Sequence, residues 1–491
     1  MQHFFFFIIA PLRGGARCAA LLLGLGAAGP AAWGQNYFTP ATITPTGANS
    51  VPRSVAVADV NRDGNPDALT ANSASNTLGV LLGNGVGGFA LQTNTPSTGV
   101  NSTPRSVAVA DINGDGRPDV LTANSASNTL GVLLGDGAGG FALQANAPST
   151  GVNSGPVSVT VADVNSDGRP DALTINGTNS TLGVLLGDGT GSFALQTNAP
   201  STGAYGAPQS IALADVNSDG RLDVLTVNYT SSTLGVLLGN GAGGFALQSN
   251  APSTGTNSYP SSVAVADVNG DGRPDALTAN SASSTVGVLL GDGTGGFALQ
   301  ANAPSAGAFR NPQSVALADI NGDGRPDALT ANINGSTLGV LLGDGTGGFA
   351  LQAGMPSTGA NSGPVSLAVA DVNGDGRPDA LTVNITSSTL GVLLNNGTYT
   401  PLTSISPLII TADLTISPNP AHEAFTVQLP AGLAPGPAEL LNTLGQVVRR
   451  PAVGAAAGAG FAVETRGLPA GVYTLRLWAG GAVRARRVVV E

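Results

Sequence analysis

The chain has 491 residues, 42% hydrophobic and only 10% charged, with 71 glycines, one cysteine and a formal net charge of −11. A single cysteine excludes a disulfide-stapled scaffold. An acidic chain with no basic stripe excludes a nucleic-acid binder.

Residues 1–34 join Arg13 and Arg17 to the apolar stretch CAALLLGLGAAGPAAWG, and Ala32, Trp33 and Gly34 before Gln35 make a small-residue cleavage site. This pattern predicts a secretory signal peptide. The run is too short and too rich in Gly and Ala for a retained membrane anchor, so the mature chain is expected to have no transmembrane segment. Cys18 follows GAR, which does not fit a lipoprotein box, and lies within the segment to be removed.

From residue 36 to 400 one pattern dominates. DxNxDGxxD occurs seven times, always 52 residues after the copy before. A fixed period of this length means one supersecondary unit, repeated and stacked. The candidate oxygen ligands in the first copy are Asp59, Asn61, Asp63, Asn65 and Asp67. In the next three they are Asp111, Asn113, Asp115, Arg117 and Asp119; Asp163, Asn165, Asp167, Arg169 and Asp171; and Asp215, Asn217, Asp219, Arg221 and Asp223. The last three give Asp267, Asn269, Asp271, Arg273 and Asp275; Asp319, Asn321, Asp323, Arg325 and Asp327; and Asp371, Asn373, Asp375, Arg377 and Asp379.

Side-chain oxygens at alternate positions, a glycine for the sharp turn, a backbone carbonyl at the seventh position and a closing Asp supply about the oxygen count that Ca2+ requires. The spacing opens like an EF-hand loop, but position twelve of the first copy is Thr70, and the flanks SVAVAD and DALTAN alternate like strands. A lone copy would be read as turn chemistry. Seven copies with three carboxylates each point to calcium, up to seven ions. Of the 26 Asp, 21 are motif carboxylates and four lie in LLGDG turns (Asp136, Asp188, Asp292, Asp344), while residues 36–400 hold no Glu and ten Arg. The acidity is that of metal sites, not of a solvating tail.

Each unit divides into four apolar runs; in the second they are SVAVAD from Ser106, DVLTAN from Asp119, TLGVLLG from Thr129 and FALQAN from Phe141. Four antiparallel strands repeated seven times predict an all-β fold, a seven-bladed β-propeller spanning residues 35–400. A β-solenoid is the alternative, though it favours shorter repeats and parallel strands.

The pairing of DVNGDGRPDALT with LGVLLGDGTGGF closely resembles FG-GAP repeats, also called VCBS repeats, the calcium-loop blades of integrin alpha-chain heads and many bacterial secreted proteins. The resemblance covers about residues 50–400. It implies a calcium-stabilised interaction platform. The third loop position is Asn in all seven copies, where the family often has Asp, which weakens each site.

Ring closure offers two aromatic candidates, Phe38 before the first motif and Tyr399 after the last. Phe38 precedes Asp59 by 21 residues, close to the 22 that separate Phe89 from Asp111. Residues 36–45 are therefore expected to complete the seventh blade, with Tyr399 as the alternative.

Residues 401–412 read as a Ser, Pro and Thr linker, and residues 413–491 as a second, small β domain holding all four Glu and seven of the Arg. Pro418, Asn419 and Pro420, Leu444 with Gly445, Gly471, Val472 and Tyr473, and the basic end Arg486 to Val490 are similar to the type IX secretion C-terminal sorting domain of Bacteroidetes. That resemblance implies an immunoglobulin-like β-sandwich and the type IX secretion machinery as a partner. It also implies passage to the cell surface or beyond.

The repeat region contains no His, Cys, Glu or Lys, which removes the usual general bases and nucleophiles. No enzyme activity is expected. The GDGTGG turns read as hairpin glycines, not phosphate loops. The repeat departs from itself at three consecutive blade junctions, through Tyr205, through Tyr259 and through Phe309 with Arg310, and in one turn through Tyr229. In an antiparallel blade all of these open on the face opposite the calcium loops. Exposed aromatics with an Arg suit a protein hot spot or stacking on sugar, unless the rings merely cover neighbouring loops. The expected function is an exported adhesion or recognition module for a protein or glycan. A structural surface scaffold without a ligand is the alternative, and a polysaccharide-active enzyme is a third.

Overall fold

The computed structural model describes residues 37–203, 206–397, 415–418, 421–428, 435–441, 447–451, 461–466, 468, 471–479 and 482–490. The signal segment, Tyr205, Tyr399 and the linker lie outside them, as do Asn419, Pro420, Leu444 and Gly445.

The alternating run PRSVAVA forms the first strand of the first unit (Pro52–Ala58). It is followed by Asp67–Asn72, Thr77–Gly83 and the short Phe89–Leu91, each hydrogen-bonded antiparallel to the one before. The second strand is buried along its whole length and the third along most of it, because neighbouring sheets cover both of their faces. Among the described residues there are seven such four-stranded sheets, whose innermost strands neighbour one another in a ring that closes from Pro364–Ala370 back to Pro52–Ala58. The architecture is a β-propeller.

Its core lies between blades. Val60, Leu69, Leu78 and Val80 of the first unit pack on Val107, Val120 and Leu133 of the second, and equivalent clusters fill the six other interfaces. Glycine is required at the third position of the third strand: a Cβ on Gly79 would fall against the Thr70 and Asn72 side chains.

The ring is closed by the N-terminal segment. Thr42–Pro45 pairs with Thr389–Leu393 as the outermost strand of the seventh sheet, and Phe38 bridges Asn395 as Phe89 pairs with Gly83. Asn395 stands where the other six blades have glycine, and its Nδ2 donates to Ile320 O at 2.9 Å. Phe38, 1% exposed, and Tyr37 fill the space against Ile320, Leu329 and Leu393.

Beyond the propeller, two sheets face each other over a common core. One comprises Thr415–Ser417, Ala424–Gln428 and Phe461–Glu464; the other comprises Val447–Arg449, Pro435–Leu441, Gly471–Ala479 and Ala482–Val490. Phe425, Val427 and Val463 of the first pack with Leu440, Leu475, Leu477 and Val488 of the second, a β-sandwich. No described helix is long and apolar enough to cross a membrane.

Candidate functional site

Each DxNxDGxxD segment connects the first strand of a blade to the second, so all seven loops emerge at one end of the ring. In the first, Asp59 Oδ1 accepts the Asp63 N–H at 3.1 Å and Oδ2 the Gly64 N–H at 2.8 Å, while Asp63 Oδ1 accepts the Asn65 N–H at 2.8 Å. Asn61 Oδ1 accepts the Asp63 N–H at 3.0 Å, and its Nδ2 donates to Asp63 Oδ2 at 3.0 Å. The first three ligand candidates therefore share one exposed turn, and the pattern recurs down to Asp371, Asn373 and Asp375.

The ninth residue behaves differently. Asp67 is fully buried, its Oδ2 accepting the Val60 N–H at 2.9 Å and its Oδ1 the Gly83 N–H at 2.8 Å, so it staples the loop to the end of the third strand. Asp119, Asp171, Asp223, Asp275, Asp327 and Asp379 do the same. Burial pushes these carboxyls above their usual range, against the pull of the two N–H bonds, and the charges of the first and fifth Asp add to the rise. Asp379 reaches about 6 and Asp327 about 7. Beside the Asp327 loop lies the buried Tyr37, whose hydroxyl is pushed up by burial and by the charges of Asp327 and Asp323.

At the seventh loop position the sequence suggested only a carbonyl, yet three of the Arg side chains there fold back on the fifth Asp. Arg117 lies 3.8 Å from Asp115, Arg221 3.8 Å from Asp219 and Arg273 4.0 Å from Asp271, exposed pairs that contribute little to stability. Arg62 reaches across to Gly116 O of the next loop.

The opposite face carries the departures from the repeat. Tyr229, 39% exposed in the turn between second and third strands, meets Tyr259 of the following junction with ring centroids 5.1 Å apart and a tilt of 58°. Phe309 is 91% exposed at φ +56°, at the position that is Asn49, Asn101, Asn153, Asn257 and Asn361 in sister junctions. Arg310, at a position that is serine in five sisters, lies half-buried against Gly307 and Gly335. Before the fourth blade, Gly206 replaces the serine whose hydroxyl elsewhere bonds the junction threonine, as Ser102 does Thr98 at 2.7 Å. Among the described residues Thr202 Oγ1, Thr226 Oγ1 and Asn228 Oδ1 are left buried without partners there. A cavity of about 520 Å³ opens beside them, lined by Thr178, Asn179, Ser180, Ser201 and Thr230 among others.

The FG-GAP-like repeat model matches in six overlapping stretches, residues 59–122, 113–174, 173–226, 215–278, 267–330 and 324–382. The chain belongs to the FG-GAP-like repeat family. A second model, the secretion system C-terminal sorting domain, matches residues 415–491. This type IX tail marks the FG-GAP-like protein for export to the cell surface or outside. No curated protein matches the chain. Among solved structures it is similar to a streptogramin B lyase, at 14% identity and TM-score 0.51 over 73% of this chain and 98% of that one. It is also similar to the virginiamycin B lyase of Staphylococcus aureus, at 13% identity and TM-score 0.50 over 72% and 98%. At such identities the likeness is one of fold.

For the calcium that FG-GAP repeats imply, the donor set of this propeller fits by its chemistry. Every loop offers only oxygen, and the charges of the first and fifth carboxylates raise the proton affinity of the ninth, a repulsion that a hard cation relieves. The described residues gather no group of three carboxylates close enough to hold one ion. The first, third and fifth side chains stand together, and the ninth is drawn aside to the backbone.

Proposed function

We propose that this exported propeller is a calcium-braced recognition module that binds a protein or glycan through its junction face. Phe309 carries the reading. A bulky residue in left-handed backbone costs roughly 1–3 kcal/mol, and a ring left in solvent recovers none of it through packing. Asn, which tolerates that conformation, fills five sister positions. A side chain kept at a local cost, on a surface, suits contact with a partner.

The Tyr229–Tyr259 pair and the neighbouring polar cavity add an apolar platform beside hydroxyls, the composition that stacks on and hydrogen-bonds a sugar ring or a tyrosine-rich loop. Asp59, Asn61 and Asp63 with the carbonyl of Asn65, and their counterparts, would hold calcium on the opposite face. The ion would supply charge neutralisation and rigidity, not contact with the partner. Binding without catalysis is supported by the chemistry available, since residues 36–400 hold no His, Cys, Glu or Lys and every Asp is at the loop end.

The test is a glycan and surface-protein array probed with the native protein and with a variant carrying Tyr205→Ser, Tyr229→Ser, Tyr259→Ser and Phe309→Ser. Loss of the bound features in the variant is the expected result. Identical profiles would leave the scaffold reading in its place.

A further inference from the structure

The propeller segregates its charge along its axis. All 25 Asp of residues 36–397 lie in turns or at strand starts at the calcium-loop end, with seven of the ten Arg, whereas the junction end holds Arg53, Arg105, Arg310 and no carboxylate. Arg53 and Arg105 stand at the second position of the first two innermost strands. That position reads Arg, Arg, Val, Gln, Ser, Gln, Val around the ring, while the next is serine in every blade. All seven pairs line one axial cavity of about 290 Å³.

Its walls are short of one partner. Among the described residues Arg53 Nε is buried without a hydrogen bond and neither arginine makes an ion pair. Burial and the charge of Arg105 both pull the Arg53 guanidinium below its ordinary value, so the two cations repel on neighbouring blades of the channel wall. The serine ring has donors to spare: Ser54 Oγ accepts the Val107 N–H at 3.3 Å and Ser106 Oγ the Val159 N–H at 3.2 Å, which leaves their own protons for the channel. Across the ring, Gln209 and Gln313 are anchored through Nε2, to Ala207 O at 3.0 Å and Asn311 Oδ1 at 2.6 Å, which leaves their carbonyl oxygens as acceptors.

We propose that this axial cavity is a binding site for a single carboxylated sugar, its carboxylate held by Arg53 and Arg105 and its hydroxyls by Gln209, Gln313 and the serine ring. Paired guanidiniums suit a carboxylate through charge-assisted, forked hydrogen bonds. A cavity of this size at the small end of ligand pockets takes one monosaccharide-sized group. The site is independent of the Tyr229–Tyr259 platform and stands or falls separately from it.

Isothermal titration of the whole chain at fixed calcium tests the assignment, with glucuronate, glucose and sodium sulfate as probes. Arg53→Gln with Arg105→Gln is the decisive variant; Gln occupies the same position in two sister blades, so the fold tolerates it, and a melting curve checks this. The expected result is glucuronate binding weakened about tenfold or more in that variant and unchanged by Tyr229→Ser with Tyr259→Ser, with glucose and sulfate each about tenfold weaker than glucuronate. Glucuronate binding that is absent, or that survives loss of both arginines, overturns the proposal. Sulfate or glucose binding as tightly as glucuronate overturns the sugar-acid assignment.

Discussion

At Phe309 a ring sits in solvent on a backbone that costs energy to hold, and that conflict makes a direct prediction. Phe309→Asn restores the residue of five sister junctions, so it should raise the melting temperature by roughly 1–3 °C while weakening partner binding. Calorimetry and the array read the two effects separately, and a lower melting temperature would show that the ring packs after all. The loop aspartates divide in a similar way. Asp171→Ala removes the acceptor for two buried N–H groups, Val164 at 3.0 Å and Gly187 at 2.9 Å. It should cost about 2–5 kcal/mol in urea unfolding even with chelator present. Asp163→Ala, in the exposed part of the same loop, should cost under about 1 kcal/mol in chelator and more only when calcium is supplied. Equal losses in chelator would erase the distinction between staple and ligand.

Strands and their order were legible because alternation and the 52-residue period are properties of the sequence itself. Closure was legible for the same reason: the spacing of Phe38 from Asp59 matched that of the outer-strand aromatics, and the structure pairs it with Asn395. The meaning of Asn395 was not legible. Its departure from glycine makes sense only once the N-terminal segment and Ile320 are seen to meet there. The double duty of Asp67 was hidden because spacing does not say which oxygens the backbone claims, and Arg53 and Arg105 stood in ordinary-looking strands until the ring brought seven such positions to one axis. The closing strand also sets a hierarchy among aromatics. Phe38 is 1% exposed whereas Phe141 is only half-buried, so Phe38→Ala should cost about 3–5 kcal/mol and Phe141→Ala less than half as much. Equal losses in urea titrations would mean that the N-terminal segment does not clamp the ring.

Seven buried carboxyls at one end of the propeller should couple its stability to pH and, on the proposed calcium binding, to metal as well. The folded-state value of Asp327 is about 7 against 3.8 for an ordinary Asp, and that of Asp379 is about 6. A raised value means that the native state binds protons more tightly than the unfolded chain. That stabilisation is complete below about pH 4 and is lost as pH rises through the folded values, each tenfold gain in proton affinity being worth ~1.4 kcal/mol. In chelator, therefore, the melting temperature should fall between about pH 4 and about pH 7. Calcium reverses the sign, because an ion held by the first and fifth carboxylates binds only their ionised form, and its charge favours ionisation of the ninth beside them. With calcium in excess the melting temperature should rise across the same interval, and the two curves should diverge by many degrees at neutral pH through mass action on the native state. A series of melts at several pH values, with chelator and with calcium, measures both slopes. Parallel curves would dismiss calcium as the brace of this propeller and leave its acidity unexplained, while leaving the arginine seat on the opposite face untouched.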